Sequence, residues 1–537
     1  MRSKHTITRA FSLDNTSIRT KNYNQLINNI LLLVSLSLCF MVNAQGNFTI
    51  NNGATFIINS DAYMTVEGNY DSSAGTTVTL NSGSSIIVNG TSSGDLTYNR
   101  TLGTDNWYLI SSPVAGQDID SFVEDTSLAF GSSGTSNLGL GDYGVLTAGW
   151  TYYQSGASGT GDFISGDGKA IKLVTANDIS FTGTIDVDNS GVSTPMHSSP
   201  TGYNLLGNPY PSYIPANELA HPSNNILQVN DVEVNGVEVD HLTEATIWIW
   251  DQSEGSEGSY DVINQTSPAM FLAPGQGFFV HSNGNSDSFS FRENMQSHQS
   301  DDTFQRPSTR PEIVLTMNNG SITSDTDIYY INGKEMGWDN GYDSSIFGGA
   351  ANNFKIYTHL VSDSEGQNLG IQTLPDNNFE NMVIPVGINS VSGTEITISA
   401  QINNFPEGIN VYLEDKENNS FTLLDVDSSF KNTLLNDEQG IGRFYIHTTS
   451  GTLSSEDLST ATNISIYNLS RESLRIVGVQ TGKASIQLYS IIGKEVLSNT
   501  FEGQGMNDIG LPNLSEGVYI VRLATETGII SKKIIIE

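Results

Sequence analysis

Hydrophobic residues along this chain alternate with polar ones in short runs that end at Gly, Pro, Asn or Asp. The segments Glu312–Met317 and Ile396–Ser399 are two examples. Such alternation is typical of strands with one buried face, because successive side chains of a strand point to opposite faces. After residue 44, no stretch carries the hydrophobic period of a three-turn amphipathic helix. The pattern therefore predicts an all-β protein.

A short internal repeat occupies residues 46–90. Ile50, Ile58 and Val66 are eight positions apart, and Leu80 and Val88 repeat the same spacing. Asn-Gly-type turns punctuate the repeat. Short strands at a fixed spacing indicate either a few rungs of a β-solenoid or a meander of hairpins, and the sequence leaves both open.

The remaining strand-like runs divide into blocks separated by two polar segments, one with Pro307 and one rich in Ser and Thr. The predicted organisation is a signal peptide at 1–44, a repeat β region at 45–94, a β-sandwich region with long loops at 95–300, a linker at 301–310, a jelly-roll-like β-sandwich at 311–448, a linker at 449–463 and a terminal β domain at 464–537.

The first 44 residues have the order of a secretory signal. Basic residues precede the apolar run Ile30–Val42, and Val42, Asn43 and Ala44 form a small-residue cleavage site before Gln45. The apolar run is too short for a comfortable transmembrane helix. Cys39 is the only cysteine, so the mature chain is predicted to lack disulfides, zinc-thiolate sites and cysteine nucleophiles.

The negative net charge of the chain makes two classes of binding partner unfavourable. The formal net charge is −35, and charged residues make up 15% of the chain. A surface this acidic repels nucleic-acid phosphates and anionic lipids, so we expect neither as a partner.

Three motifs lie in order at the end of the chain. They are Tyr489, Gly493 and Lys494; Leu514, Gly517, Tyr519, Val521 and Leu523; and the pair Lys532 and Lys533. This segment resembles the type A C-terminal sorting domain of the type IX secretion system of Bacteroidetes. The family usually opens with Tyr-Pro-Asn-Pro, whereas this chain has Tyr467-Asn468-Leu469-Ser470.

The resemblance implies an immunoglobulin-like β-sandwich that acts as an export signal. It implies recognition by the type IX machinery, removal of the signal by a sortase-like peptidase, and a secreted cargo that is attached at the outer-membrane surface or released. The cargo segments Gly202–Pro211 and Ala273–Val280 resemble parts of uncharacterised secreted proteins of the same bacteria, a resemblance that implies no activity.

Two strings match catalytic or cofactor motifs without the required context. Residues 90–94 match a nucleophile elbow, and residues 139–144 match a dinucleotide fingerprint, but neither is followed by the helix its chemistry needs. The eight histidines show no metal-ligand spacing. No catalytic residue is therefore singled out, and we expect a protein that is not an enzyme.

Calcium is the cofactor that the acidic loops would suit. Asp186 and Asp188 stand at alternate positions before a glycine, and Asp339 and Asp343 cluster on a second turn. Hard oxygen ligands on a tight loop are what calcium prefers. The alternative is that these side chains cap turns or are solvated.

Four aromatic residues are candidates for ligand contact: Trp248, Trp250, Trp338 and Tyr342. Trp248 and Trp250 would share one face of a strand, where they either pack in the core or form a stacking platform for sugar rings. Two functions follow. The first is a non-enzymatic, adhesin-like surface protein that binds a glycan or another surface ligand. The second is an exported carbohydrate-binding or carbohydrate-degrading protein.

Overall fold

The regular elements in the described part of the chain are almost all strands, as expected. The computed structural model describes residues 42–44, 46–51, 53–131, 135–145, 149–187, 190–231, 240–252, 258–284, 287–298, 310–348, 353–377, 379, 382–450, 464–491, 493–515, 517–525 and 528–536. The prediction of an all-β protein is confirmed. None of the helices in this part of the chain has the length and apolar character needed to span a lipid bilayer. Most of the predicted signal peptide, and nearly all of both predicted linkers, lie outside the described residues.

The repeat region forms three stacked coils of a β-solenoid. Its strands are β1 (Val42–Ala44), β2 (Phe48–Ile50), β3 (Thr55–Ile58), β4 (Tyr63–Val66), β5 (Tyr70–Ser72), β6 (Thr77–Leu80), β7 (Ser85–Val88), β8 (Ser92–Ser93) and β9 (Leu96–Leu102). They pair in parallel as three sheets, β1-β4-β7, β2-β5-β8 and β3-β6-β9. Parallel pairing shows that the repeat is a β-solenoid, because the strands of a meander of hairpins would pair antiparallel.

The eight-residue spacing separates residues on successive faces of the solenoid. It is not the length of a complete coil. Ile50, Ile58 and Val66 lie on three successive strands and all point into the core. Equivalent positions of neighbouring coils are 22 residues apart, as the hydrogen bond from Asn69 N to Asn47 Oδ1 illustrates.

The solenoid runs directly into the next group of elements, which are β10 (Trp107–Ser111), α1 (Ile119–Asp125), β11 (Asn137–Gly144), β12 (Gly149–Gln154), β13 (Gly168–Lys172) and β14 (Asn177–Gly183). Strand β14 pairs antiparallel with β9 and so extends a solenoid sheet to four strands. One hydrophobic core extends from Ile50 to Ile185, across the boundary predicted after residue 94.

The second core belongs to a group with short strands and long loops. Its elements are β15 (Val192–Pro195), β16 (Tyr203–Gly207), β17 (Ile214–Pro215), α2 (Ile226–Asp231), β18 (Ile247–Asp251), β19 (Ser259–Ile263), β20 (Phe271–Leu272), β21 (Gly277–His281), β22 (Ser288–Phe291) and a 3-10 turn at Glu293–Met295. The main sheet has the order β16-β21-β18-β19. His298 fastens this group to the solenoid, since its ring nitrogens lie 2.8 Å from Thr65 Oγ1 and 2.7 Å from Ser85 Oγ.

The region predicted as a jelly-roll-like sandwich forms one sheet of eleven strands. The strands are β23 (Glu312–Asn318), β24 (Thr323–Ile331), β25 (Ser344–Ser345), β26 (Lys355–Thr358), β27 (Leu369–Pro375), β28 (Met382–Ser390), β29 (Glu395–Asn403), β30 (Asn410–Asp415), β31 (Ser420–Leu424), β32 (Phe430–Thr433) and β33 (Glu438–Thr449). The pair β24/β27 is parallel. Inward residues from many of these strands, Ile313 and Ile446 among them, share one core.

The terminal domain has five strands and its own core. They are β34 (Ser465–Ser470), β35 (Ser473–Ser490), β36 (Glu495–Gly510), β37 (Gly517–Thr525) and β38 (Gly528–Ile536). All pairs are antiparallel, in the order β34-β35-β37-β38, with β36 paired along β35.

Candidate functional site

The first motif of the terminal domain forms the turn between β35 and β36. Tyr489 is half-buried near the end of β35. Gly493 has a φ of +82°, a conformation that glycine adopts without steric cost. Hydrogen bonds from Ser490 N to Lys494 O and from Gly493 N to Ser490 O, both 2.8 Å, close the turn. The motif therefore presents the exposed Lys494 at a loop tip.

The second motif anchors the entry into β37. Leu514 and Tyr519 are buried in the core of the domain. The Tyr519 hydroxyl donates a hydrogen bond of 2.7 Å to Ser515 O, which holds the preceding loop against the strand. Gly517 begins the strand.

The two lysines of the third motif face opposite sides of β38, because neighbouring residues in a strand alternate. Lys533 is exposed, whereas Lys532 is half-buried. The Lys532 ammonium donates a hydrogen bond of 3.1 Å to Ser364 O, on a loop of the eleven-stranded sheet. The strand thus has one exposed lysine, Lys533, and one, Lys532, that is hydrogen-bonded to the cargo loop.

The predicted calcium ligands occupy different settings. Asp186 Oδ2 accepts a hydrogen bond of 2.6 Å from Ser165 Oγ, and Asp188 lies outside the described residues. Asp343 is fully buried and accepts hydrogen bonds from Thr373 N at 2.6 Å and Asp339 N at 2.7 Å. In the described part of the chain, no group of three or more His, Cys, Asp or Glu side chains is arranged to hold a metal ion.

The first aromatic candidate is a core residue, which corrects its interpretation as a ligand platform. Trp248 has 0% exposure, and its indole nitrogen donates a hydrogen bond of 3.0 Å to Ser345 O. It packs with Tyr203, Phe279 and Phe347 between β18 and the segment after β25. Alternation alone could not reveal this, because it does not tell which face of a strand is covered.

The other three aromatic candidates reach solvent to differing degrees. Trp250 is half-buried, with its ring centroid 4.8 Å from that of Tyr260. Trp338 is 37% exposed. Tyr342 is half-buried, and the Lys334 ammonium lies 3.0 Å from the centroid of its ring.

A cavity that the sequence analysis missed lies between β19 and the strands β23, β24 and β27. Its volume is about 260 Å³, and its polar lining includes Asp261, Asp325, Asp327 and Lys355. Burial raises the pKa of Asp327 to about 6, although a hydrogen bond of 2.9 Å from the Tyr329 hydroxyl opposes the rise. In the sequence, the signal for this cavity is the pair Asp325 and Asp327, which stand two positions apart. The sequence does not tell that β19 faces these two side chains.

The terminal domain, together with the all-β fold, identifies the class of protein to which this chain belongs. Residues 444–537 match the secretion system C-terminal sorting domain family, which confirms the resemblance of the last motifs. The protein therefore carries a type IX sorting domain, interacts with that machinery and is exported from the cell.

The larger part of the chain has a family of its own. Residues 20–446 match the family described as a domain of unknown function, DUF8693, and the chain belongs to this family. No curated protein matches the chain. Among solved structures, a biofilm-associated protein, BSP domain, is similar over 81% of this chain and 96% of that chain, with 8% identity and a TM-score of 0.16. That TM-score supports no conclusion about this chain.

Proposed function

We propose that this is a non-enzymatic, adhesin-like protein that the type IX system displays on the outer-membrane surface. In this proposal residues 1–44 direct the chain across the inner membrane, and a sortase-like peptidase removes the sorting domain. The cargo then binds a glycan or another surface ligand, without inserting into the membrane.

The observation that carries the proposal is an outward-facing, mostly polar sheet face on the solenoid, on which Ile57 and Thr182 are exposed and Thr79 and Thr97 are half-buried. Strands β3, β6, β9 and β14 align Ile57, Thr79, Thr97 and Thr182 in one row across the sheet. A parallel row is tied together by side-chain hydrogen bonds, and its members are Asn59, Asn81, Asn99 and Ser180.

This face suits a neutral, extended ligand. Its two rows are uncharged although the chain as a whole carries a net charge of −35. Hydroxyl and amide groups spaced by the sheet offer repeated hydrogen-bonding positions, while the threonine methyl groups add apolar contact. An open sheet face of this kind supports adhesion better than it supports chemistry on a small substrate, which needs a concave site.

The second candidate function is carbohydrate binding or cleavage in the cavity beside β24. The raised pKa of Asp327 supports it, since groups with perturbed pKa values gather at functional sites. The exposed carboxyl group of Asp325, the half-buried ones of Asp261 and Asp327, and Lys355 could together contact sugar hydroxyls.

Adhesion of whole cells tests the proposal and separates the two candidates. Replacing Thr79 and Thr97 by Lys should abolish adhesion to glycan-coated surfaces while surface display, measured by external protease, persists. Val426→Lys, at a site that is 102% exposed, is the matched control and should adhere normally. If the double variant adheres like the parent, this sheet face is not the binding surface. Loss of soluble-oligosaccharide binding in Asp327→Asn alone would favour the cavity.

Export itself has a separate test. Deletion of 464–537 should retain the cargo inside the cell, because the sorting domain is the element that the type IX machinery recognises. Cargo that still reaches the surface after this deletion would overturn the display mechanism.

A further inference from the structure

The sorting domain contacts the cargo, residues 42–450, through Tyr467. This residue occupies the place of the first tyrosine in the family's opening motif and is only 7% exposed. Its ring packs with Tyr357 and Ile441 of the cargo and with Val477 of its own domain. A Cβ atom on Gly366 would lie 2.6 Å from Cδ2 of this ring, so only glycine lets the loop come so close.

Strand β33 supplies the second part of the contact. A Cβ atom on Gly440 would lie 3.0 Å from Arg475 Nη1, and one on Gly442 would lie 3.0 Å from Met506 Cβ. Both glycines have positive φ values, +118° and +125°, near the irregularity in the pairing of β33 with β28. The backbone of the cargo therefore approaches β35 and β36 directly at these positions.

Lys532 supplies the third part. Its ammonium group donates to Ser364 O at 3.1 Å; burial lowers the pKa of this ammonium group, and the carboxylates of Asp363 and Glu365 partly oppose that shift. Lys533, its neighbour in the motif, is exposed. The two lysines of the motif therefore differ in their surroundings, because Lys532 contacts the cargo and Lys533 is exposed.

We propose that the surface around Gly366, Gly440 and Gly442 is a docking surface for the chain's own sorting domain, that docking shields Lys532, and that the secretion machinery engages this domain after the contact has opened. The last step rests on export through the sorting domain. The docking itself is independent of export and can be measured on purified protein.

Site-resolved acetylation of the folded full-length precursor tests the docking. Burial lowers the pKa of Lys532, and an accessible amine with a lowered pKa would react faster at neutral pH, because more of it is deprotonated. A slower reaction therefore reports shielding. We expect Lys532 to be acetylated about tenfold or more slowly than Lys533, as for a group that reacts from a locally opened state. Equal or faster reaction of Lys532 would overturn the docking.

Two variants open the contact from opposite sides. Gly366→Ala places a Cβ against the tyrosine ring, and Tyr467→Ala removes the ring. Each should bring the acetylation rate of Lys532 close to that of Lys533. Gly393→Ala is the matched control, because its glycine has a similar φ of +80° but open space around it, and it should behave like the parent. Lys169, 7% exposed within the cargo, must stay protected, which shows that the cargo remains folded.

The variants also decide the consequence for export. If neither variant changes the ratio of the Lys532 and Lys533 rates, the contact does not shield the lysine and the proposal is wrong. If Gly366→Ala releases Lys532, its export yield in cells should equal or exceed that of the parent. A lower yield from a folded, released variant would overturn the order of opening before engagement.

Discussion

At the scale of single residues, three carboxyl groups are buried where the end of α2 and the segment before β18 meet the loop before β25. Burial raises the pKa values of Asp231, Glu244 and Asp343, each to about 7. Asn340 Nδ2 donates a hydrogen bond of 3.1 Å to Asp231 Oδ2, and Ser345 N donates one of 2.8 Å to Glu244 Oε2. The uncharged form of each acid is the one that this interior favours.

These carboxyl groups make the stability of the fold depend on pH. Because their folded pKa values lie above the unfolded ones of about 4, the folded state binds more protons between roughly pH 4 and pH 7. The free energy of unfolding should therefore fall as pH rises through that window and stay lowered above it.

Glu244→Gln should remove part of this dependence. The glutamine carbonyl can still accept the hydrogen bond from Ser345 N, but it carries no charge to desolvate. We expect the free energy of unfolding at pH 8 to rise by about 2 kcal/mol, with little change at pH 4. Chemical unfolding at both pH values measures this, and Glu407→Gln at an exposed site is the control. An unchanged difference between the two pH values would show that Glu244 is not the titrating group.

At the scale of elements, the coils of the solenoid are held in register by side chains outside the core. Asn47 Oδ1 accepts from Asn69 N at 2.9 Å, and Asn69 Oδ1 accepts from Thr91 N at 3.0 Å. Glycine precedes each donating residue of the next coil, because a Cβ on Gly68 or Gly90 would lie 2.5 Å from the asparagine oxygen below it. The ladder therefore requires both Asn and Gly.

Gly90→Ala should destabilise the solenoid. The new methyl group would collide with the oxygen of Asn69 and with Gly68 O, so the coil must shift, at a cost of about 1–3 kcal/mol. The urea midpoint of unfolding should fall without a change in slope. Gly103→Ala, where no atom lies within 4 Å of the added Cβ, should leave the midpoint unchanged. Equal midpoints for the two variants would contradict the close fit.

How far the sequence predicts these elements depends on whether the signal is local. Strand alternation and the terminal motifs are local, so the all-β fold and the sorting domain could be predicted. The solenoid could be suspected from Ile50, Ile58 and Val66, but the 22-residue coil appears only when strands are paired. The burial of Trp248 and the cavity beside Asp327 depend on segments distant in sequence, which no local pattern specifies.

At the scale of the whole molecule, the solenoid is continuous with the fold that follows it. Strand β9 pairs with β6 on one side and with β14 on the other, and their inward residues Leu80, Tyr98 and Phe181 belong to one core. Regions that share a core and a sheet are expected to unfold together, because unfolding of one region would expose the apolar face of the other to water.

Native-state hydrogen exchange should therefore give β6 and β14 the same opening free energy, within about 1 kcal/mol. Strand β31, at an edge of the eleven-stranded sheet, should open more easily and serves as the internal comparison. Gly90→Ala should lower the opening free energies of β6 and β14 together, since the altered coil contributes Ile86 and Val88 to the core that these strands share. If β6 exchanged several kcal/mol more easily than β14, the solenoid would be an independent unit, and the boundary predicted after residue 94 would mark a real division of the chain.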